Sequence, residues 1–444
     1  MQLPLGSGGG ERNVRGSADE GASIIHVAMN WRFLDHGTAP LRQPEFRALW
    51  IANFLSNLGT IMHGAAAAWM MTTLTGSPLL IGLVQTAASL PPFLLGMAGG
   101  ALADLVDRRR LLVGAQLWMM ATAALMAAMA WSGRMSPASL LVLLLLLGLG
   151  SAVHLPGWQT LLQDLVTRDK AAAVVSLNSI SFNLARSVGP AAGGFLVGAF
   201  GAAWVFALNA VSFLAVLAGL RRVPGHLVPP SRGRATPGAV VRSLGEGWVF
   251  VRKSPVLGGI LLRTGWFMVT GSGIWALLPV VAREQLHTDA GGYGLLLSAF
   301  GVGSVTGAVF IPWLRRRFPV EPAVALCLGA FSATILWMGF VRVMPLAMAA
   351  MFAAGLFWIM VAVNHNVSVQ QCAPDWVRGR AISIYLMVFQ GSLAFGSWIS
   401  GWMAEHAGLR AAIVAAGILS AAGMLLIPRF PLAAAVPPEG PTPS

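Results

Sequence analysis

The chain alternates long apolar runs with short polar or basic turns. No Asp, Glu, Lys or Arg occurs from Ala48 to Ala103, and the strongest interruption in this stretch is the turn Thr75–Pro78. Two spans of about 20 residues each therefore fit here, the length that crosses a hydrocarbon core. Ten more apolar runs follow, at residues 111–133, 136–163, 172–200, 202–220, 256–282, 291–314, 322–341, 343–370, 381–404 and 410–428. The pattern predicts twelve spans.

These runs predict helices because they are long and continuous. Every backbone amide in lipid must be bonded inside its own segment or in a closed barrel, and barrel strands are short and alternate apolar with polar positions. The composition agrees, since 56% of the residues are hydrophobic and only 10% are charged, whereas soluble domains carry about 25% charged residues. The predicted fold class is an all-α membrane protein.

Lys and Arg are distributed unevenly between the two sides of the predicted bundle. With both termini inside, the opposite side receives only Arg134, Arg283, Arg342 and Arg410, and most other basic residues fall on the cytoplasmic side. This asymmetry follows the positive-inside rule. The net charge of +13 is spread over short loops, which favours anionic lipid over nucleic acid as its partner.

An internal repeat relates the two parts of the chain. Gly100 and Arg108 recur 207 residues later as Gly307 and Arg315, and Ile311 stands at the position that corresponds to Asp104. The same displacement relates Gly189 to Gly396 and Gly194 to Gly401. Two parallel six-helix repeats are the plan of transporters that rock about a central site. We expect pseudo-symmetric six-helix bundles at 44–222 and 255–429, a disordered cytoplasmic tail at 1–43, a cytoplasmic linker at 223–254 and a cytoplasmic tail at 430–444.

The segment between spans 2 and 3 reads Gly100-Ala-Leu-Ala-Asp104-Leu-Val-Asp107-Arg108-Arg109-Arg. It resembles the signature loop of the major facilitator superfamily, with Leu105 where a basic residue is usual and Asp107 where Gly is usual. The resemblance implies a conformational latch formed by Gly100, Asp104, Asp107, Arg108 and Arg109. The alternative is that the arginines only anchor the topology.

Span 5 contains Arg186-Ser-Val-Gly189-Pro190-Ala-Ala-Gly193-Gly194. It is similar to the Gly-Pro-x-x-Gly-Gly element of drug/proton antiporters, and Gly with Pro gives a helix that can kink and pack closely. Together with the start of span 1, the chain resembles the exporter branch called transmembrane secretion effectors, which includes enterobactin exporters. The resemblance implies proton-coupled efflux of a drug-like or siderophore-like molecule across a bacterial cytoplasmic membrane.

Polar groups inside the spans are the candidates for a proton or substrate pathway, because such groups are costly in lipid without a cavity or a partner. Arg186 is expected to meet an anionic substrate or Asp164, or to tie spans 4 and 5 together, and Arg263 has the alternative of reaching toward the cytoplasm. The acids Asp104, Asp164 and Glu405 lie near span ends. The remaining candidates are His63, His154, His365, Asn53, Asn57 and Gln159, each with packing as the alternative role.

No nucleotide loop, metal spacing or nucleophile elbow occurs in a suitable setting, so an enzyme is not expected. We expect no cofactor, no metal and no nucleic-acid partner. The expected partners are a small-molecule substrate, protons and membrane lipid, and the expected state is a monomer. Two alternatives to efflux stay open: nutrient uptake on the same scaffold, and a non-transporting sensor or assembly subunit.

Overall fold

The computed structural model describes residues 39–105, 107–166, 170–222, 249 and 253–432. Residues 1–38 of the predicted N-terminal tail, nearly all of the predicted linker and residues 433–444 of the predicted C-terminal tail lie outside the described residues. Within the described ranges all regular structure is helical. The predicted all-α class is confirmed.

The first half, α1–α6, begins after a short 3₁₀ turn at Ala39–Arg42. Its helices are α1 (Pro44–Leu74), α2 (Pro78–Leu105), α3 (Arg108–Trp131), α4 (Pro137–Asp164), α5 (Ala171–Phe200) and α6 (Ala202–Arg222). The second half, α7–α13, contains α7 (Pro255–Gly271), α8 (Gly273–Val280), α9 (Ala290–Arg317), α10 (Val320–Met338), α11 (Met344–Cys372), α12 (Asp375–Ala407) and α13 (Leu409–Ala422).

Ten helical stretches of the described residues are long and apolar enough to cross a membrane. The stretch Pro255–Gln285 counts as one of them and joins α7, α8 and the π-helical turn Val281–Gln285. The helices α1 and α5 have 31 and 30 residues, but they are more polar and are not among the ten. The chain is therefore a multi-pass membrane protein, and the count of twelve spans stays a prediction.

The predicted seventh span is locally broken rather than straight. Ser272 separates α7 from α8, and it lies between Gly271 and Gly273. Close packing explains the two glycines: a Cβ atom on Gly271 would lie 2.7 Å from Trp358, and one on Gly273 would lie 3.0 Å from Ser400 Oγ. Pro279 has no backbone N–H to donate, and the π-helical turn begins two residues later, as expected where the regular ladder is interrupted.

Two helix pairs make the largest contacts between the halves, and α8 also packs against α2. One seam is between α5 and α9, and the other is between α2 and α12. Within the first half, α1 packs against α5 and α6, and α2 packs against α4; within the second half, α9 and α10 pack against α11, and α7 packs against α12.

Glycines make the α5–α9 seam a backbone-to-backbone contact. A Cβ atom on Gly194 would lie 2.8 Å from Gly294 Cα, and one on Gly294 would lie 2.5 Å from the carbonyl oxygen of Pro190. Farther along, a Cβ atom on Gly301 would lie 2.7 Å from Ser187 Cα. Real Cβ atoms do not approach so closely, so any larger side chain there must push the helices apart.

The α2–α12 seam combines glycines with hydrogen bonds. Gly82 lies against Gly401, and Thr86 Oγ1 donates to the carbonyl oxygen of Ala394 at 2.9 Å. At the end of the bundle predicted to be outside, Glu405 Oε2 accepts from Ser77 Oγ at 2.6 Å and from the backbone N–H of Leu79 at 3.1 Å. A carboxylate of the second half thus sits at the start of α2, where free N–H groups favour an anion.

The helices carry large apolar side chains on their outward surfaces. Leu94 is 62% exposed, Phe195 68%, Val309 72%, Leu326 67% and Leu425 76%. Exposed apolar side chains spread over helices of both halves would cost free energy in water, but they match lipid tails.

Candidate functional site

A cavity of about 240 Å³ lies between the two halves. Helices α1, α2, α4 and α5 line it from the first half, and α8 and α9 line it from the second. Most of its lining is aliphatic or small, as with Ile61, Ala65 and Leu144. Its aromatic and polar members are Gln85, Phe182, Arg186, Trp275, Tyr293 and Phe300. Concave, mostly apolar sites with a few polar groups are where small molecules bind.

Arg186 is the one charged side chain among the described residues that line this cavity. Its Cζ atom lies 5.3 Å from the ring centroid of Trp275 and 5.8 Å from that of Phe300. Both rings belong to the second half, so this cation–π contact crosses between the halves. No carboxylate of the described residues forms an ion pair with Arg186. Its predicted partner Asp164 ends α4, and the side chain of Asp164 is outside the described set.

The glycine motif of α5 packs against two different helices. A Cβ atom on Gly189 would lie 2.9 Å from Ile61, and one on Gly193 would lie 3.0 Å from Met62 Cα, both on α1. Gly194 and Pro190 face α9 of the other half instead. The motif therefore fixes α5 between the cavity helix α1 and the seam, and it places Arg186 one turn before Pro190.

The three candidate histidines lie in helix contacts and are not among the described residues that line the cavity. His63 is 1% exposed, packs against the ring of Phe206 and has no hydrogen-bond partner for either nitrogen among the described residues. His154 lies 3.2 Å from Gln116 Nε2. His365 is 2% exposed, and its Nδ1 atom lies 3.4 Å from Thr264 Oγ1. The structure does not bring the three together.

The candidate amides also separate. Asn53 is buried and donates from Nδ2 to Asn178 Oδ1 at 3.1 Å, which joins α1 to α5. Asn57 is half-buried and lies one turn before Ile61, on the face of α1 that meets the cavity. Gln159 is exposed on α4. None of the three amides is among the described residues that line the cavity.

Arg263 forms a salt bridge inside the second half. Its Nη1 atom lies 3.0 Å from Glu321 Oε2 and donates to the carbonyl oxygen of Phe430 at 2.9 Å. Glu321 also accepts from the backbone N–H of Leu432. Arg263 is 4% exposed and Glu321 is 24% exposed. The pair ties α7 to the first turn of α10 and to the segment after α13, so Arg263 is not in the cavity.

The signature loop is described only in part. Asp107 Oδ1 accepts from the backbone N–H of Arg110 at 2.8 Å and so caps α3. Arg109 Nη2 donates to the carbonyl oxygen of Arg221 at 3.3 Å, within the first half. The surroundings of Gly100 and the side chains of Asp104 and Arg108 are outside the described set. The predicted latch stays a prediction.

The sequence reasoning missed two rings of the cavity and the partner of Arg263. Trp275 and Phe300 were not singled out, because aromatic residues occur on nearly every span and only the tertiary fold selects the two beside Arg186. Glu321 was also missed. The signal for it was present, since an acid in the first turn of one span can balance an arginine inside another.

Known proteins resemble the chain over most of its length. Residues 36–437 match a family model described as transmembrane secretion effector. The staphyloferrin A transporter of Staphylococcus aureus is 24% identical over 364 residues, which are 81% of this chain and 89% of that protein. An enterobactin exporter of Escherichia coli is 26% identical over 391 residues, which are 86% of this chain and 90% of that protein.

Solved structures share the fold. A D-xylose–proton symporter matches with a TM-score of 0.68 at 16% identity, covering 88% of this chain and 98% of its own. The nucleoside transporter NupG matches with a TM-score of 0.66 at 14% identity, covering 87% and 99%. Because the family model covers nearly the whole chain, the chain belongs to the transmembrane secretion effector family of the major facilitator superfamily, whose members are transporters and not enzymes.

Proposed function

We propose that this chain exports a small organic molecule across the bacterial cytoplasmic membrane by alternating access, driven by the inward flow of protons. In this proposal it has twelve spans in two six-helix halves with both termini in the cytoplasm. The count of twelve spans is supported by the ten apolar helical stretches together with the long helices α1 and α5. In this count α7, α8 and the following π-helical turn form one span. The one-sided distribution of Lys and Arg supports the orientation.

The observation that carries the proposal is a central cavity lined by both halves. Alternating access needs a site that both halves build, because their relative movement must expose it first to one side and then to the other. Glycine seams on α5–α9 and α2–α12 supply narrow, smooth contacts about which the halves can move. An enzyme would need a reactive constellation at this place, whereas a transporter needs only a site and a pivot.

Two observations support export over import. A relative that is 26% identical is named as an enterobactin exporter, and the relative that is 24% identical, the staphyloferrin A transporter, is also named for a siderophore. The Gly-Pro-x-x-Gly-Gly element of α5 is similar to that of drug/proton antiporters. We therefore propose a siderophore-like or drug-like solute as the cargo.

Proton coupling requires a group that changes protonation during the cycle. Among the described residues no Asp or Glu lines the cavity. The candidates are His63, His154 and His365, together with the acid Asp164 at the end of α4. Replacing the true carrier by Gln should stop transport driven by a pH gradient while exchange of labelled for unlabelled solute continues. A variant with unchanged gradient-driven transport removes that residue from the set.

Everted membrane vesicles test the whole proposal. Vesicles containing the protein are acidified by respiration and given solutes from a panel that includes enterobactin, and proton release is followed with a pH-sensitive dye. We expect a solute of the panel to accumulate and to release protons, and a protonophore to abolish both. Accumulation in right-side-out vesicles alone would replace export by uptake. Movement in neither orientation would reject transport of that panel and favour the sensor alternative.

A further inference from the structure

Arg186 brings a positive charge into the cavity, and the described residues supply no matching negative charge. It is the charged member of the described lining, and no described carboxylate forms an ion pair with it. An unpaired cation at membrane depth is unfavourable because it has lost water without gaining a counterion. Within the described part of the chain, the charge of Arg186 therefore has no counterion while the cavity is empty.

The rings of Trp275 and Phe300 compensate only part of this charge. They lie 5.3 and 5.8 Å from the guanidinium carbon, distances at which a ring face attracts a cation. A carboxylate offers more, since a guanidinium donates two parallel hydrogen bonds to it, and such charge-assisted bonds are shorter and stronger. An incoming carboxylate can thus compete with the rings for Arg186.

The remaining wall selects for an apolar body. It includes Phe182, Leu144 and Leu297. The described hydrogen-bonding groups are few, and one of them, Gln85, already donates to Ser89 Oγ at 3.0 Å. A neutral sugar-like solute would leave its hydroxyl groups unpaired here, which is costly. A cation would be repelled by Arg186.

We propose, on the basis of the proposed export function, that this cavity takes an organic anion, with its carboxylate or similar acidic group bound by Arg186. The aromatic or aliphatic body of the same molecule lies along the apolar wall from Phe182 to Leu297. Because Arg186 is the one cation in the described lining, it can neutralise one acidic group of the ligand. Substrate class is thereby set by a single residue of α5.

Matched probes measure this preference by equilibrium binding to the purified full-length protein in nanodiscs. The probes are 2-naphthoate and its neutral amide, 2-naphthamide, which share one apolar body. We expect the wild-type protein to bind the naphthoate about tenfold more tightly than the amide. In R186Q the ratio should fall to about one, with the amide affinity retained, and in R186K part of the preference should remain.

R134Q is the matched control, because Arg134 is an exposed arginine in the turn between α3 and α4. It loses the same charge and should keep the full naphthoate preference. Equal wild-type binding of naphthoate and amide, or a preference that survives R186Q, would overturn the proposal. The ratio of naphthoate to amide affinity is measured in the wild-type protein as well. The proposal can therefore be refuted even if R186Q does not fold.

The binding test and the vesicle test fail separately. If the protein prefers naphthoate but vesicles move no solute, the anion site stands and the transport function is wrong. If vesicles export a neutral or cationic solute that naphthoate does not displace, export stands and the anionic class is wrong.

Discussion

Replacing Gly194 by Ala should open the end of the bundle predicted to be outside. The new methyl group would lie 2.8 Å from Gly294 Cα and closer still to the carbonyl oxygen of Ala290, against ordinary contacts of about 3.4–4 Å. Both obstructing atoms are backbone, so no side chain can turn away, and the helices must separate by about 1 Å or more. Overpacking of this kind costs about 1–3 kcal/mol. The ratio of molecules whose outer end is closed, as in this structure, to molecules whose outer end is open should then fall by between about fivefold and 150-fold.

Spin labels can measure this opening. Ser132 and Arg342 are exposed in turns of the first and second halves at the same end of the bundle. On a background in which Cys327 and Cys372 are serine, labels at these positions should show a longer distance population in Gly194→Ala. Gly198 is the control, because a Cβ atom there meets nothing within 4 Å. An unchanged distance distribution in Gly194→Ala, or an equal change in Gly198→Ala, would refute the role of the α5–α9 seam.

Three further substitutions test separate contacts. Glu405→Gln weakens the hydrogen bonds to Ser77 and to the start of α2. We expect the closed outer end to lose about 1 kcal/mol of stability, so that the ratio of open to closed molecules rises about fivefold in the same spin-labelled protein. Glu321→Ala leaves Arg263 buried without its carboxylate partner, so the free energy of unfolding should fall by up to about 3 kcal/mol. This is the lower end of the loss expected for a broken buried ion pair, because Glu321 is 24% exposed. Arg186→Leu removes a cation that has no counterion among the described residues. The ligand-free protein should then melt at a higher temperature, with a net gain of about 1–3 kcal/mol; a lower melting temperature would show that the ring contacts of Arg186 outweigh the cost of burying its charge.

The helices were predictable because their signal is local. Apolar runs long enough to cross a membrane locate α2, α3, α4 and α6 from composition alone, and the turns before α2, between α3 and α4, and before α6 contain Gly or Ser. The break at Ser272 was not predicted. The flanking Gly271 packs closely on Trp358, a residue far away in the chain, so the local sequence does not show why glycine stands there.

The site was predictable in part. The glycine motif of α5 was interpreted as a close-packing element, and Gly194 does pack backbone to backbone. Its partner α9 could not be inferred, because that contact joins residues about 100 positions apart. The histidines illustrate the opposite problem. A helix apolar on all sides does not reveal which face meets the cavity, so membership of a cavity helix did not place His63 or His154 on the wall.

Arg186 links binding to movement because its two parts serve different contacts. Its backbone belongs to the seam, since a Cβ atom on Gly301 would lie 2.8 Å from the carbonyl oxygen of Arg186. Its side chain reaches Trp275 and Phe300 across the cavity. Any sliding of α5 against α9 therefore changes the distance between the guanidinium and these rings. A ligand can shift a conformational equilibrium only by the difference in its affinity for the two states. An anion that draws the guanidinium away from the rings would have such a difference, because it replaces a contact that holds the halves together.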